Sequence, residues 1–244
     1  MGIENVCLVA ISVYGHDNRS MFDAMRNLSG DSRAVVSFNP YTITEQELDK
    51  MHAAGVRGVR INLKTTAEAP SKEALAAKLL AYAARIRSRQ WVLQLYLGIE
   101  QVPLIYHVIP QLGVKVVLDH MASPEPTRAA ILQTGSKELF DLLRREAVWV
   151  KISGTYRFTE LPDLDVFARD LIRIGHNNVI WASDWPHTGG PAVTKDGRLI
   201  SSYRKVDDEE FVQRCLQWCD YDGLLVQKLF VDNPRRLWLG DHNI

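Results

Sequence analysis

The sequence VIWASDWPH, residues 179–187, joins a strand-like apolar run to a carboxylate and an imidazole. Side chains alternate along a strand, so Asp184 shares a face with Ala182 and opposes Ser183. A small residue such as Ala182 suits the inside of a barrel, and Asp184 would then lie at the mouth of that barrel. Two simpler interpretations stay open. Asp184 could only begin the turn at Trp-Pro, and His187 could be a solvated loop residue.

Further runs rich in β-branched residues predict a sheet of about seven strands. With residues 179–183, these runs are 6–12, 34–38, 56–62, 91–97, 115–120 and 148–154. Amphipathic helical patterns alternate with them at 19–27, 45–54, 72–88, 101–112, 137–146, 164–174, 207–220 and 222–230. The strand runs lack a clean apolar/polar alternation, which is typical of strands buried on both faces. We therefore predict an α/β fold with parallel strands, in a single domain over residues 1–244.

Two layouts fit this alternation, a doubly wound open sheet and a (β/α)8 barrel. A dinucleotide-binding sheet needs a glycine-rich turn after its first strand, and SVYGHDN, residues 12–18, lacks the G-x-G-x-x-G spacing. A barrel builds its active site from the carboxyl ends of its strands. Polar residues gather at these ends in run after run, and they are Tyr14, Asn18, Asn62, Gln94, Tyr96, His120, Tyr156, Arg157, Asp184 and His187. This distribution favours the barrel.

Composition excludes several classes of partner. The chain carries 29 basic and 29 acidic residues, so its formal net charge of zero gives no electrostatic case for nucleic acid or an anionic membrane. The apolar runs fall short of the ~20 residues of a membrane span, and no basic region with an apolar signal segment begins the chain. We expect a cytoplasmic protein. Cys215 and Cys219 lie four residues apart, and packed free thiols are favoured over a metal site there.

The run KVVLDH, residues 115–120, ends in a second imidazole. Strict alternation places Leu118 and His120 on the inner face and Asp119 on the opposite face. An imidazole at the mouth could act as an acid, a hydrogen-bond donor or a metal ligand, or it could be a core histidine satisfied by backbone. Lys151 could bridge metals after carboxylation, but a structural ion pair is favoured.

Arginines at strand ends predict an anionic substrate. Arg60 shares a face with Asn62, and an inward guanidinium would bind a carboxylate as a fork. Arg157 follows the run 148–154 and could hold a second carboxylate. Gln94 and Tyr96 share a face of the neighbouring strand and complete the candidate substrate-binding set.

Seven motifs in order give the chain a family resemblance that covers nearly its whole length. They are SVYGHDNRSMFDAM (12–25), GVRGVRINL (55–63), WVLQLYL (91–97), VVLDHMASPEP (116–126), WVKISGTYRF (149–158), VIWASDWPH (179–187) and LFVDNPRRLW (229–238). In these the chain resembles the amidohydrolase superfamily, in the branch called amidohydrolase family 2, near the 2-pyrone-4,6-dicarboxylate lactonases. The resemblance implies a distorted (β/α)8 barrel that hydrolyses a small carboxylated substrate without a metal.

The resemblance also implies roles for individual residues. Asp184 matches the base that activates water, and His120, Arg60 and Arg157 match residues that bind substrate. The loop with Tyr14, Gly15, Asp17 and Asn18 matches the loop after the second strand of the family.

Two departures from the family pattern stand out. Family members usually read DHMGRP where this chain has DHMASP, residues 119–124, so Ser123 replaces an arginine and a less anionic or differently shaped substrate is expected. The first family strand with its His-x-His pair is absent, so the barrel is expected to be incomplete. Residues 6–12 and 179–183 would then form open edges, and self-association through them is expected. The remaining ligands do not support a zinc site or another divalent metal, so no cofactor is expected.

Three functions follow from these observations. In the first, Asp184 deprotonates water that attacks a carboxylated lactone, with Arg60 and Arg157 on the carboxylate and His120 on the carbonyl. The second is a metal-dependent decarboxylase of aromatic acids. The third is a truncated, catalytically silent barrel that binds a ligand or a second copy. The long loop 188–205 contains glycine and could serve as a lid.

Overall fold

The computed structural model describes residues 2–28, 32–64, 71–188, 192–193, 199–200 and 202–240. Much of the loop predicted as a lid lies outside the described residues, so the lid remains a prediction. Within the described residues, no helix combines the length and the apolar character that crossing a bilayer requires.

Seven strands form one parallel sheet in chain order, as predicted. They are β1 Cys7–Val9, β2 Arg33–Val36, β3 Val56–Asn62, β4 Val92–Tyr96, β5 Val116–Leu118, β6 Trp149–Ile152 and β7 Val179–Trp181. Each strand pairs in parallel with the next. Within the described parts of the chain, no pairing joins β1 to β7, so these two strands form the ends of the sheet. Two short antiparallel strands, β8 Ala192–Val193 and β9 Leu199–Ile200, pair separately.

Helices follow the strands and cover the outside of the sheet. They are α1 Arg19–Asn27, α2 Glu45–Ala53, α3 Lys72–Ile86, α4 Val102–Ile105, α5 Ile109–Leu112, α6 Ser136–Arg144, α7 Leu164–Ile174, α8 Asp208–Trp218, α9 Gly223–Gln227 and α10 Asn233–Trp238. The single helix predicted over 101–112 is wrong, because it divides into α4 and α5. Pro110 lies in the first turn of α5, where its missing N–H and fixed φ begin a new helix rather than continue the old one.

The sheet curls around a small inner core. Val35 of β2, Val92 of β4, Val117 of β5 and Ile180 of β7 pack in one cluster, with Cys7 and Val9 of β1 against it. Side chains from both ends of a flat sheet could not meet in this way, so the sheet forms most of a barrel. Leu237 and Trp238 of α10 join the cluster, and the polar side chains described below lie at the carboxyl ends of the strands.

A larger outer core lies between the sheet and its helices. It contains Trp91, Leu118, Phe167 and Trp218, all at most 2% exposed. Cys215 and Cys219, which the sequence predicts as packed free thiols, are free and buried.

Candidate active site

A carboxylate at the carboxyl end of β7 gathers the polar groups of the mouth. Tyr156 Oη donates to Asp184 Oδ2 at 2.7 Å, and Arg157 Nε donates to the same oxygen at 2.9 Å. His120 Nε2 lies 3.8 Å from Asp184 Oδ1. The Asp184 and His120 side chains are 17% and 8% exposed, so the carboxylate stays within reach of solvent. The structure thus brings together four residues that the sequence predicts for the site.

The backbone turns sharply where the carboxyl ends of β5 and β7 meet the site. His120, Met121, Ala122 and Ser123 all have positive φ, between 44° and 56°, and Asp184 has φ of 60°. Non-glycine residues adopt this region at a cost, and such residues cluster at functional sites. Because the backbone leaves the strand conformation directly after Asp119, strand alternation no longer decides where His120 points.

Gly154 is the close neighbour that this turn requires. Its φ is +65°, and an added Cβ would lie 2.8 Å from His120 Nδ1 and 3.1 Å from Asp184 Oδ2. Only glycine combines this backbone conformation with room for both side chains. The glycine therefore sets the spacing between the imidazole and the carboxylate.

His120 is held from two sides. Its Nδ1 lies 2.9 Å from Ser153 Oγ, and the Tyr96 ring meets the imidazole edge to face at 5.2 Å between centroids. Burial lowers the pKa of His120 below its ordinary value, although Asp119 and Asp184 act in the opposite direction. The imidazole is therefore neutral near pH 7. A Ser153 hydroxyl that donates to Nδ1 leaves the Nε2 proton to point at the mouth.

Asp119 faces the inside of the barrel, so its predicted outward orientation is wrong. Gln94 Nε2 donates to its two oxygens at 2.8 and 2.9 Å, Arg60 Nε donates at 3.0 Å, and Lys151 Nζ lies 3.3 Å away. In β5 the inward residue is Val117, and Leu118 belongs to the outer core, so the alternation runs in the phase opposite to that expected. The predicted structural ion pair of Lys151 is confirmed, with Asp119 as its partner.

This buried network fixes the charges beneath the mouth. Burial on its own would raise the pKa of Asp119, but the positive charges of Lys151 and Arg60 and the neighbouring His120 hold this pKa below its ordinary value. Asp119 is thus ionised and anchors Arg60. The sequence contains a signal for this inward acid. When Asp119 and His120 end a buried parallel strand, alternation places one of the two side chains inward, in either phase of the alternation.

Arg60 connects the network to the mouth. Its Nη1 donates to Ser12 Oγ at 3.1 Å and to the Ala10 carbonyl at 3.3 Å, and its Cζ lies 5.1 Å from the centre of the Tyr96 ring. Asn62 Nδ2 donates to the same Ser12 hydroxyl at 2.8 Å. Sequence reasoning missed Ser12, although it begins the quoted SVYGHDN motif.

Two predicted substrate-binding residues have structural roles. Gln94 is fully buried, and its amide is used by Asp119 and by Lys151, whose Nζ donates to Gln94 Oε1 at 2.8 Å. Asn18 is 7% exposed and binds the backbone of Ser37 through both ends of its amide, at 2.8 and 3.0 Å. Both amides are thus engaged within the protein, and a role of Gln94 and Asn18 in substrate binding stays a prediction.

Two further predicted residues, Tyr14 and His187, lie in different surroundings. Tyr14 is exposed on the short helix Ser12–Tyr14 that follows β1. His187 is buried, its Nε2 lies 2.9 Å from Asp208 Oδ1, and its ring contacts the Tyr156 ring at 5.1 Å between centroids. His187 thus reaches the site through Tyr156.

Among the described residues, the donors at the mouth are fewer than a zinc site uses. Across the described ranges, no three His, Cys, Asp or Glu side chains gather in a way that could hold one. His120 and Asp184 offer two donors, and Oδ2 of Asp184 is already taken by Tyr156 and Arg157. Structural and catalytic zinc sites use at least three protein ligands.

Comparison with known proteins places this architecture among amidohydrolases. The family model described as amidohydrolase matches residues 1–239. The chain is 28% identical to the 2-pyrone-4,6-dicarboxylate hydrolase of Comamonas testosteroni, over 98% of this chain and 77% of that protein. It is 29% identical to the 4-sulfomuconolactone hydrolase of Rhizobium radiobacter, over 98% and 76%. A solved structure from Pseudomonas putida, described as a 2-pyrone-4,6-dicarboxylic acid hydrolase, superposes with a TM-score of 0.78 at 28% identity, covering 98% of this chain and 84% of that one.

Proposed function

The chain belongs to the amidohydrolase family and is a hydrolase, and from this premise we propose that it opens the ring of a small carboxylated lactone with water activated by Asp184. The observation that carries the proposal is the position of this carboxylate. Asp184 Oδ2 is fixed by Tyr156 and Arg157, whereas Oδ1 faces the His120 imidazole at 3.8 Å. The lactone hydrolases among the relatives support the substrate class.

Asp184 is suited to act as the general base. Because Tyr156 and Arg157 hold one carboxylate oxygen, the other keeps a fixed direction and accepts no hydrogen bond of ordinary length from the described residues. A water molecule against this oxygen loses a proton to Asp184 as its own oxygen attacks the lactone carbonyl. The ring C–O bond then breaks, and the departing oxygen takes up the proton.

His120 is suited to stabilise the negative charge that develops on the carbonyl oxygen. Its neutral imidazole can donate from Nε2 while Ser153 holds Nδ1. A donor aimed beforehand at the developing charge needs no rearrangement during the reaction. Because the pKa of His120 is lowered, the imidazole is uncharged near pH 7 and does not form an ion pair with Asp184.

The two arginines are suited to hold the substrate carboxylate. Arg157 uses Nε for Asp184 and Nη2 for the Tyr156 hydroxyl, which leaves further N–H groups of its five. Arg60 uses Nε and Nη1, and its Nη2 donates no hydrogen bond to the described residues. Both guanidiniums can therefore add a carboxylate without losing their present partners.

The proposal includes a reaction without a metal, because the described residues bring two candidate ligands to the mouth, His120 and Asp184. The proposal also favours catalysis over a silent barrel, because the Asp184 carboxylate, the His120 imidazole and the Arg157 guanidinium surround Gly154. A cytoplasmic location and self-association through the open edge stay predictions from the sequence.

A substrate panel tests the proposal. Hydrolysis of 2-pyrone-4,6-dicarboxylate and other carboxylated lactones is measured for the wild type, for Asp184→Asn, and for Asp49→Asn as a control on an exposed ion pair. We expect turnover by the wild type and the control and almost none by Asp184→Asn. Equal turnover by Asp184→Asn would refute the base, and release of carbon dioxide from aromatic acids would refute the reaction class.

A further inference from the structure

One cation of the mouth is absent from the sequence prediction. Lys64 follows β3, and its Nζ lies 5.9 Å from the centre of the Tyr96 ring. The Arg60 guanidinium and the His120 imidazole contact the same ring, at 5.1 and 5.2 Å from its centre. Tyr96 is therefore a common contact of Lys64 and two residues of the candidate site.

Lys64 also contacts the segment that follows β5. Its Nζ donates to the Ser123 carbonyl at 3.1 Å. Ser123 lies in the turn of positive φ that follows β5. Its side chain is 2% exposed, and its hydroxyl has no hydrogen-bond partner within the described part of the chain. The Lys64 ammonium thus lies against the backbone of the segment that follows β5.

The Lys64 ammonium lacks a carboxylate partner within 4 Å among the described residues. Desolvation lowers the pKa of Lys64, Glu100 partly offsets this, and the charge of Arg157 lowers it further. Repulsion from Arg157 indicates that the two cations act on one region of the mouth.

The balance of charge at the mouth leaves room for an anion. Among the described residues, the cations Arg60, Lys64, Lys151 and Arg157 outnumber the carboxylates Asp119 and Asp184, and they still do so when Glu100 is included. An ammonium has three N–H donors, and the Ser123 carbonyl occupies one of them. Two donors remain for a ligand.

We propose that Lys64 binds a second anionic group of the substrate, a carboxylate or a sulfonate, while Arg60 and Arg157 hold the first. Lys64 thereby sets a preference for doubly charged over singly charged lactones. This inference rests on the proposed function and differs from the expectation of a less anionic or differently shaped substrate, which stays a prediction.

Matched substrates test Lys64 by kinetics. The values of kcat and KM are measured for the wild type, Lys64→Gln, Lys64→Arg and the surface control Lys137→Gln, on pyrones with one and with two carboxylates. A charge-assisted hydrogen bond corresponds to about a 10-fold or larger effect on kcat/KM. For Lys64→Gln we expect this loss of kcat/KM with the dicarboxylate, through a higher KM. With the monocarboxylate, kcat/KM should change by less than about 2-fold. Lys64→Arg should recover most of the loss, and Lys137→Gln should behave as the wild type.

Binding without turnover separates this inference from the proposed function. Calorimetry with benzene-1,3-dicarboxylate and benzoate measures the preference for two charges even if no lactone is hydrolysed. Lys64→Gln should weaken the dicarboxylate selectively. An equal loss for both probes, or no loss for the dicarboxylate, would overturn the role of Lys64. Failure of every lactone assay alongside a selective loss would overturn only the proposed function.

Discussion

Replacing Lys151 by methionine tests the buried charge network beneath the site. Lys151 Nζ lies 3.3 Å from Asp119 Oδ1, and the two side chains are 6% and 3% exposed. Methionine keeps an apolar chain against the Trp238 ring, which the lysine Nζ approaches at 5.6 Å. The substitution therefore removes a charge with little loss of packing. Asp119 keeps Arg60 and Gln94 as partners but loses one of its two close cations.

The expected cost follows from this geometry. Breaking a buried ion pair costs about 3–5 kcal/mol, and we take the lower end because Arg60 still faces Asp119. For a chain of this size, each kcal/mol shifts Tm by about 2–4 °C, so Lys151→Met should lower Tm by about 6–12 °C.

Thermal unfolding followed by circular dichroism measures the shift, with the exposed Lys137→Met as control. Adding Asp119→Asn to Lys151→Met removes the unpaired charge, so the double variant should be more stable than the sum of the two single losses predicts. A Tm within about 2 °C of the wild type for Lys151→Met, or purely additive losses, would refute a buried ionised Asp119.

Three further outcomes are expected. The pKa of Asp119 is lowered in the folded state, so its contribution to stability is present above its unfolded pKa of about 4 and is lost as the pH falls below that value; urea titrations should show this loss in the wild type and a smaller one in Asp119→Asn. The pKa of His120 is also lowered, so kcat/KM should stay constant as the pH falls through the ordinary histidine pKa near 6.5. A fall of kcat/KM at or above about pH 6.5 that is absent from His120→Gln would contradict this. Gly154→Ala should lower kcat by at least about 100-fold while the fold is kept, because its Cβ would lie 2.8 Å from His120 Nδ1; near-normal kcat would show that this spacing is unimportant.

The sequence is most informative about the order of the elements. Runs of β-branched residues separated by amphipathic helices predict parallel strands in chain order, because such runs must be covered on both faces. The helix predicted over 101–112 shows where this reasoning fails, since apolar periodicity continues through Pro110 while the backbone hydrogen bonds cannot.

The orientation of single side chains is harder to predict. Asp119 faces inward because it continues the alternation of β5 from the inward Val117, and His120 faces the mouth because four residues in a row, none of them glycine, adopt positive φ after this strand. No local signal predicts such a turn, and strand alternation counted back from an inward His120 therefore gives β5 the wrong phase. The sequence does not predict the position of Lys64 either, because a single lysine after a strand resembles any solvated charge. Its contacts with Tyr96 and Ser123 become apparent in the structure.

The single-turnover rate of lactone opening by Asp184→Asn tests the central claim most directly. Loss of a general base lowers such a rate by about 100- to 10,000-fold. We expect the single-turnover rate at saturating substrate to fall by a factor in this range. The dissociation constant for the substrate should be no larger than that of the wild type. A rate within about threefold of the wild type would show that water is activated by another group.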